Sequence, residues 1–461
     1  MSQNLPHDPL LTGEPLRPSR PPAPSRVIIF VCWMLILAIV GLEVWANIER
    51  SKGVADSQPD NPALSSVAHC IVGARALTAS ANHGAQADPT APLVSQLESA
   101  ARSPDDRIKF VIIAEEVESA AQANAKLDEL IDSPHLPTKV RADLDILKMV
   151  YKDGPSAISQ NQRQRLLEDQ GWFGQVALNF GVSDQSASRI KMLADAKRAL
   201  LAFTFGIAGG IGGLVIGFAL IVLAIVLSAT GRLTLLFRQA LPDTVFLEVF
   251  AVYLTGFVLL SLLLHFLVKS PGLGWTLVLT LILPIAVSWP VLRGKTWEQT
   301  RMELGWHTGQ GIFREIGCGI IGYIAALPLL AVMLLITLQL MRLSGAAPTH
   351  PVEGFLNGST AEIVLVYFIA CAWAPVFEES MFRGALFNHL RARHGWWISA
   401  GVVGLLFAAV HPQGWTTIPV LGGIGMVLCA LREWRGSLIA SMAAHALNNG
   451  TVITLFVLTS R

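Results

Sequence analysis

The stretch FEESMFRG, residues 377–384, places charged side chains at the end of an apolar run. Glu378 and Glu379 are adjacent carboxylates, and Arg383 follows Glu379 at the i,i+4 spacing of a helical ion pair. Residues 361–376, just before them, carry a single charged side chain. An ionisable side chain at membrane depth costs about 3 kcal/mol and usually marks a functional site. We therefore expect these residues to face a shared polar cavity and not lipid.

Two later apolar stretches also carry polar side chains. FAAVH ends in His411, and HALNN places His445 and Asn449 four residues apart, on one helix face. If the helices through Glu378 and His411 form an antiparallel hairpin that turns near Gly395, both residues lie about 25 Å from the turn. We therefore predict that the three stretches meet at one depth.

These residue types suit the activation of water. A glutamate withdrawn from bulk water can act as a general base, and a neighbouring histidine can help to hold and deprotonate a water molecule. The candidates for these two roles are Glu378 and His411. His445 and Asn449, on one helix face, offer donors for a developing oxyanion.

Three neighbouring residues are expected to support Glu378. Glu379 precedes Arg383 by four residues, which is the favourable order for an ion pair, and this pair would fix the helix face. Pro375 cannot donate a backbone hydrogen bond, so a kink is expected just before the carboxylates.

Other interpretations of the same residues stay open. The glutamates would also suit an anchor at the membrane interface, the histidines would suit hydrogen bonds within a core, and the HPQG turn would suit an outer loop. A proton or cation pathway uses the same side chains. Histidine and glutamate also bind zinc, so a zinc enzyme with Glu378, His411 and His445 as ligands is a further alternative, although HExxH is absent. No GxSxG motif is present.

Taken together, the three stretches resemble the motifs of the CAAX prenyl endopeptidase and bacteriocin-processing family of intramembrane proteases (the CPBP or Abi family). The family pattern is Glu-Glu-x-x-x-Arg, then Phe-x-x-x-His, then His-x-x-x-Asn. This chain has Glu378 to Arg383, Phe407 to His411 and His445 to Asn449 in that order.

The resemblance covers about 201–458 and implies an eight-helix core. It also implies peptide hydrolysis by water activated at Glu378 and His411, with His445 and Asn449 stabilising the oxyanion. Prenylated substrates are implied by the resemblance alone. The name metalloprotease and a glutamate mechanism disagree on metal use, so the residues assign no cofactor and zinc stays an alternative. Some members of the family are non-catalytic scaffolds or bacteriocin-immunity proteins.

Composition places the protein in a membrane. Its 461 residues are 52% hydrophobic and 15% charged, whereas soluble domains have about 25% charged residues. The net charge of +1 and the lack of a basic cluster give no indication of nucleic-acid binding. The five cysteines form no CxxC pair and predict no disulfide framework.

The chain divides by composition into four parts. Residues 1–26 read as a disordered proline-rich tail, 27–46 as a transmembrane anchor, 47–199 as a soluble helical domain and 200–461 as the eight-helix protease domain. The fold class is therefore all-α and polytopic. The predicted spans after the anchor are 201–229, 244–268, 273–292, 316–341, 361–382, 397–411, 416–431 and 436–458.

Loop charges predict the orientation. With the N-terminus inside, every second loop is rich in Arg and Lys, as expected for cytoplasmic loops, and 47–199 lies outside. In that domain, the pair Glu115 and Glu116 is expected on a solvated helix face.

We thus expect an intramembrane endopeptidase in a bacterial cytoplasmic membrane. Its partners would be the lipid bilayer and a membrane-associated, prenylated or otherwise lipid-anchored protein or peptide. A non-catalytic scaffold or immunity protein and an ion or proton carrier are the alternatives.

Overall fold

The computed structural model describes residues 25–56, 62–78, 90–101, 103–117, 120–133, 136–239, 242–267, 282–344 and 359–460. Within these ranges the regular elements are helices and no strand is present. This confirms the all-α prediction. The predicted tail, 1–26, lies almost wholly outside the described residues.

The helices are numbered in chain order. They are α1 (Arg26–Asp56), α2 (Pro62–Thr78), α3 (Ala91–Ala100), α4 (Pro104–Val117), α5 (Ala120–Ile131), α6 (Thr138–Asp153), α7 (Gln160–Gln170), α8 (Trp172–Leu178), α9 (Ala187–Ala229), α10 (Val245–Leu267), α11 (Ile282–Leu292), α12 (Trp297–Leu304), α13 (Ile312–Ser344), α14 (Thr360–Arg391), α15 (Trp396–Ala409), α16 (Ile418–Arg435) and α17 (Ile439–Ser460).

Several of these helices are long and apolar enough to cross a bilayer. Among the described residues there are six such spans, which are Arg26–Glu49, Ala187–Ala229, Val245–Leu263, Ile312–Ser344, Thr360–Arg391 and Trp415–Arg435. On α9, Phe205, Val215 and Phe218 are exposed, as expected for side chains that face lipid. The protein is therefore a multi-pass membrane protein, as predicted.

The helices α2 to α8 and the first turns of α9 surround a hydrophobic core of their own, which we call the N-terminal helical cluster. Leu64 and Ile71 of α2 and Ile108 of α4 lie at its centre. Met192 and Ala196 of α9 belong to the same core. Helix α9 then continues without a break into its membrane span, so the compositional boundary at 199 falls inside one helix.

The expectation of a solvated glutamate pair in this cluster is wrong. Glu115 is only 6% exposed, and neither of its carboxylate oxygens has a hydrogen-bond partner among the described residues. Glu116 is bound by Arg189 of α9 through two hydrogen bonds of 2.8 and 3.3 Å. The reason is that α4 is buried over most of its surface, including the turn that carries Glu115.

The burial of Glu115 predicts pH-dependent stability. Burial raises the pKa of Glu115 from 4.5 to about 7. Glu115 ionises near pH 4.5 in the unfolded chain, whereas in the folded chain burial opposes its ionisation. The free energy of unfolding therefore falls as pH rises from about 4.5 to about 7. The full effect is about 3 kcal/mol. We expect hydrogen–deuterium exchange in α4, corrected for intrinsic rates, to be slower at pH 5 than at pH 8. Glu115→Gln should flatten this dependence, and Glu98→Gln on the exposed face of α3 should not.

A second core holds the membrane helices together. It includes buried residues of α10, α13, α14, α15 and α16, and Cys32 and Ile36 of α1 belong to it. Helices α15 and α16 approach closely because Gly404 and Gly425 face each other, where a Cβ on either would collide with the partner backbone. This close pair fixes the position of the turn that follows α15, which contains His411.

Candidate active site

Helix α14 carries the paired carboxylates and contains two π-helical turns. They span Ile369–Trp373 and Ser380–Leu386, on either side of Ala374–Glu379. The first widened turn ends just before Pro375, whose missing N–H cannot continue the regular hydrogen-bond pattern. The predicted kink therefore takes the form of a local widening of the helix.

The first widened turn is also tied to α17. Asn449 Nδ2 donates a hydrogen bond of 2.8 Å to the carbonyl oxygen of Ala370. Asn449 Oδ1 accepts from the amide of Asn448 at 3.3 Å. One of the two N–H groups of Asn449 is thus used to hold α17 against α14, which leaves the second for other contacts.

Glu379 and Arg383 form a fully buried network with His445. Arg383 Nη1 donates to Glu379 Oε1 at 2.9 Å, and both side chains have no exposure. His445 Nδ1 lies 2.9 Å from the same oxygen. Arg383 also donates to the carbonyl oxygen of Gly425 at 3.1 Å and lies 4.4 Å from the ring centre of Phe407. This network fixes α14, α16 and α17 relative to one another.

Glu378 faces two imidazole rings. Its Oε2 lies 3.7 Å from His411 Nε2 and 3.8 Å from His445 Nε2, and it has no hydrogen-bond partner among the described residues. The Glu378 side chain is 26% exposed, whereas those of His411 and His445 are 18% and 4% exposed. Separations of this length are too long for direct hydrogen bonds and suit a bridging water molecule.

The hydrogen bonds at Nδ1 determine the tautomer of both rings. A carbonyl oxygen only accepts, so His411 Nδ1 carries the proton that it donates to the Phe407 carbonyl. His445 Nδ1 likewise donates to the Glu379 carboxylate. In the neutral rings both Nε2 atoms therefore present lone pairs toward Glu378 Oε2, which is also an acceptor. A water molecule between them could donate its two O–H groups to two of these three acceptors.

The described residues do not form a preformed metal-binding site here. Among the described residues, no set of three or more His, Cys, Asp and Glu side chains is arranged to hold a metal ion. Glu378, His411 and His445 do not form such a group, so we derive no step through zinc.

Most of the predicted site residues lie together. Glu378, Glu379, Arg383, His411 and His445 form one cluster through the contacts above. Asn449 lies one helical turn from His445 on α17 and contacts the Ala370 carbonyl, so its predicted place at an oxyanion stays a prediction.

Sequence reasoning missed two neighbours of this cluster. The Asn47 amide of α1 donates to the His411 carbonyl at 3.0 Å. Tyr253 of α10 lies within electrostatic range of Glu378. The position of Asn47 directly after an apolar run was the available signal, whereas Tyr253 in an apolar helix gave none.

Comparison with known proteins identifies the segment that carries the cluster. Residues 360–451, which are 92 of the 461, match the family model described as type II CAAX prenyl endopeptidase Rce1-like. An Escherichia coli protein described as "Uncharacterized 24.3 kDa protein" is 30% identical over 112 residues, which cover 22% of this chain and 52% of that protein. The chain thus spans about half the length of this curated relative. No solved structure matches.

The matched segment contains all three motifs, from Glu378 to Asn449, and it coincides with the part of the chain where their side chains meet. The predicted resemblance is therefore confirmed for residues 360–451, which form an Rce1-like segment within this all-α multi-pass membrane protein.

Proposed function

We propose that the protein is an intramembrane endopeptidase that hydrolyses a peptide bond with water activated by Glu378 and His411. The observation that carries this proposal is the position of Glu378 Oε2, which lies 3.7 and 3.8 Å from the two imidazole Nε2 atoms. Similarity of residues 360–451 to the Rce1-like family supports it at the level of the family.

In the first step, Glu378 acts as the general base. Water donates one proton to Glu378 Oε2 as its oxygen attacks the peptide carbonyl carbon, and the neutral His411 ring accepts the second O–H and aligns the water. The new C–O bond gives a tetrahedral oxyanion. The second N–H of Asn449 is a candidate donor for this oxyanion. His445 can donate from Nε2 only after it gains a proton, because its Nδ1 hydrogen is engaged by Glu379.

In the second step, the C–N bond breaks. The proton held by Glu378 passes to the leaving nitrogen, which departs as an amine, and the other product is a carboxylic acid that ionises. Glu378 returns to its carboxylate form. The buried Glu379–Arg383 pair takes no part in proton transfer and holds the helix and the His445 ring in place.

The substrate class and the location belong to the same proposal. The depth of the cluster in the membrane helices favours a membrane-associated protein or peptide, and prenylated or other lipid-anchored substrates follow from the family resemblance. The loop charges favour an orientation with the N-terminal helical cluster outside, and a bacterial cytoplasmic membrane is the proposed location. The division into a tail, an anchor, a soluble domain and a protease domain stays a proposal.

A direct test is cleavage of membrane-presented peptides. Purified protein in liposomes, incubated with a library of lipid-anchored peptides, should give new termini that mass spectrometry identifies. Glu298→Gln on α12, where the glutamate side chain is 79% exposed, is the matched control and should cleave like the parent.

Three outcomes decide between the alternatives. Cleavage that survives a chelator supports the water mechanism as written. If a chelator abolishes cleavage and added zinc restores it, the protein is still a protease, but His411, His445 and Glu378 are then metal ligands. No cleavage of any membrane-presented peptide, in protein whose fold is intact, favours the non-catalytic scaffold.

A further inference from the structure

A buried amide in the last third of α1 contacts the turn that carries His411. Asn47 is 4% exposed, and its Nδ2 donates a hydrogen bond of 3.0 Å to the carbonyl oxygen of His411. Helix α1 lies far outside the Rce1-like segment, 360–451, in sequence. Its earlier turns are anchored in the membrane core through Cys32 and Ile36, so α1 contacts the bundle both there and at Asn47.

The surroundings of this contact are mostly apolar. Val44 and Asn47 of α1 share a narrow cleft with Ala408, Ala409 and His411. A polar group withdrawn from water in such surroundings is costly unless it is hydrogen-bonded. The amide of Asn47 and the carbonyl of His411 therefore stabilise each other in this place.

The His411 carbonyl lies outside a helix. Helix α15 ends at Ala409, so the carbonyl of His411 is not part of the backbone hydrogen-bond pattern of α15. The hydrogen bond from Asn47 thus holds one side of the His411 residue, while the Phe407 carbonyl holds its ring on the other side.

We infer that Asn47 is a positioning residue that holds His411 at its working distance from Glu378, so that α1 is part of the active site. This inference rests on the proposed function for its effect on the reaction. Asn47 acts through the backbone of His411, because its amide binds the carbonyl oxygen and not the ring. Its loss is therefore expected to change the rate of the chemical step more than the binding of substrate.

Asn47→Leu tests this inference because leucine is similar in size, donates no hydrogen bond and suits a membrane helix. We expect kcat to fall about 10- to 100-fold with KM changed less than about 3-fold. Asn47→Gln keeps an amide donor on a longer side chain and should recover part of kcat. Leu42→Ala, on a half-exposed position of the same helix, is the control and should leave both constants unchanged.

A second measurement does not depend on proteolysis. The carbethoxylation rate of His411 by diethyl pyrocarbonate, followed by peptide mass spectrometry, should rise several-fold in Asn47→Leu because the ring is held less firmly. The exposed His394 serves as the internal reference. Asn47→Ala is the second donor-free variant if the leucine variant does not fold.

The two readouts separate this inference from the proposed function. Higher His411 reactivity in Asn47→Leu than in the parent, together with a parent that cleaves nothing, would retain the positioning role and reject the protease. Unchanged His411 reactivity in both donor-free variants would overturn the role of Asn47, whether or not the parent is a protease. A loss of kcat in Leu42→Ala equal to that in Asn47→Leu would also overturn it, since α1 would then act only as a scaffold.

Discussion

Replacement of Glu378 by glutamine should lower kcat about 10²- to 10⁴-fold, the range typical for the loss of a general base. The amide keeps the size of the side chain but cannot take the proton of the attacking water. A neutral amide is also cheaper to bury than a carboxylate, so the variant should be at least as stable as the parent. The measurement is the cleavage rate of a membrane-presented peptide at saturating concentration, together with the thermal unfolding midpoint.

His411→Ala provides the companion measurement. If Glu378 and His411 act on the same water, the double variant should be little slower than either single variant, because residues that act as a unit are non-additive. Losses that multiply would show that the two side chains act in separate steps. A stable Glu378→Gln protein with unchanged cleavage would remove Glu378 from the mechanism.

Replacement of Glu379 by glutamine should destabilise the folded protein by about 3–5 kcal/mol, because it leaves Arg383 as an uncompensated buried charge. The His445 ring also loses the carboxylate that accepts its Nδ1 hydrogen. We therefore expect a lower unfolding midpoint, lower abundance in the membrane and lower kcat in the fraction that folds.

A second buried ion pair supplies the matched control. Glu315 of α13 accepts two hydrogen bonds from Arg435 and is also fully buried, but among the described residues it has no hydrogen bond or ion pair with His411 or His445. Glu315→Gln should cost a similar amount of stability and leave the kcat of folded protein close to that of the parent. Equal losses of kcat in Glu379→Gln and Glu315→Gln would mean that Glu379 contributes to folding and has no separate role in catalysis.

Much of the active-site cluster could be predicted because the spacing of its residues follows simple helix geometry. Glu378 and His411 lie at equal distances from the Gly395 turn, and the rise per residue of a helix is fixed. The pairing of Glu379 with Arg383 follows from their i,i+4 spacing. Both relations are properties of single helices or of one hairpin, so they can be read from residue types and spacing.

Other features depend on packing between distant parts of the chain. Asn449 contacts Ala370 where α14 widens into a π-helical turn, and nothing in the local sequence specifies which carbonyl becomes available there. Glu115 was expected on a solvated helix face because it adjoins Glu116 at the start of a stretch rich in alanine and charged residues, yet the packing of α4 within the N-terminal helical cluster buries it. The change of composition near Leu201 suggested a domain boundary, although the backbone of α9 passes through it as one helix.

The most direct test of the account is the fate of the water oxygen in a single turnover. Excess protein in H₂¹⁸O is mixed with a lipid-anchored peptide, and the products are analysed by mass spectrometry. If the water held between Glu378 and the two histidines attacks the peptide carbonyl, the new carboxylate of the product carries one ¹⁸O after the first turnover and Glu378 carries none. A first-turnover product without ¹⁸O, with the label found in the Glu378 carboxylate of the protein, would contradict the account, because Glu378 would then be the nucleophile.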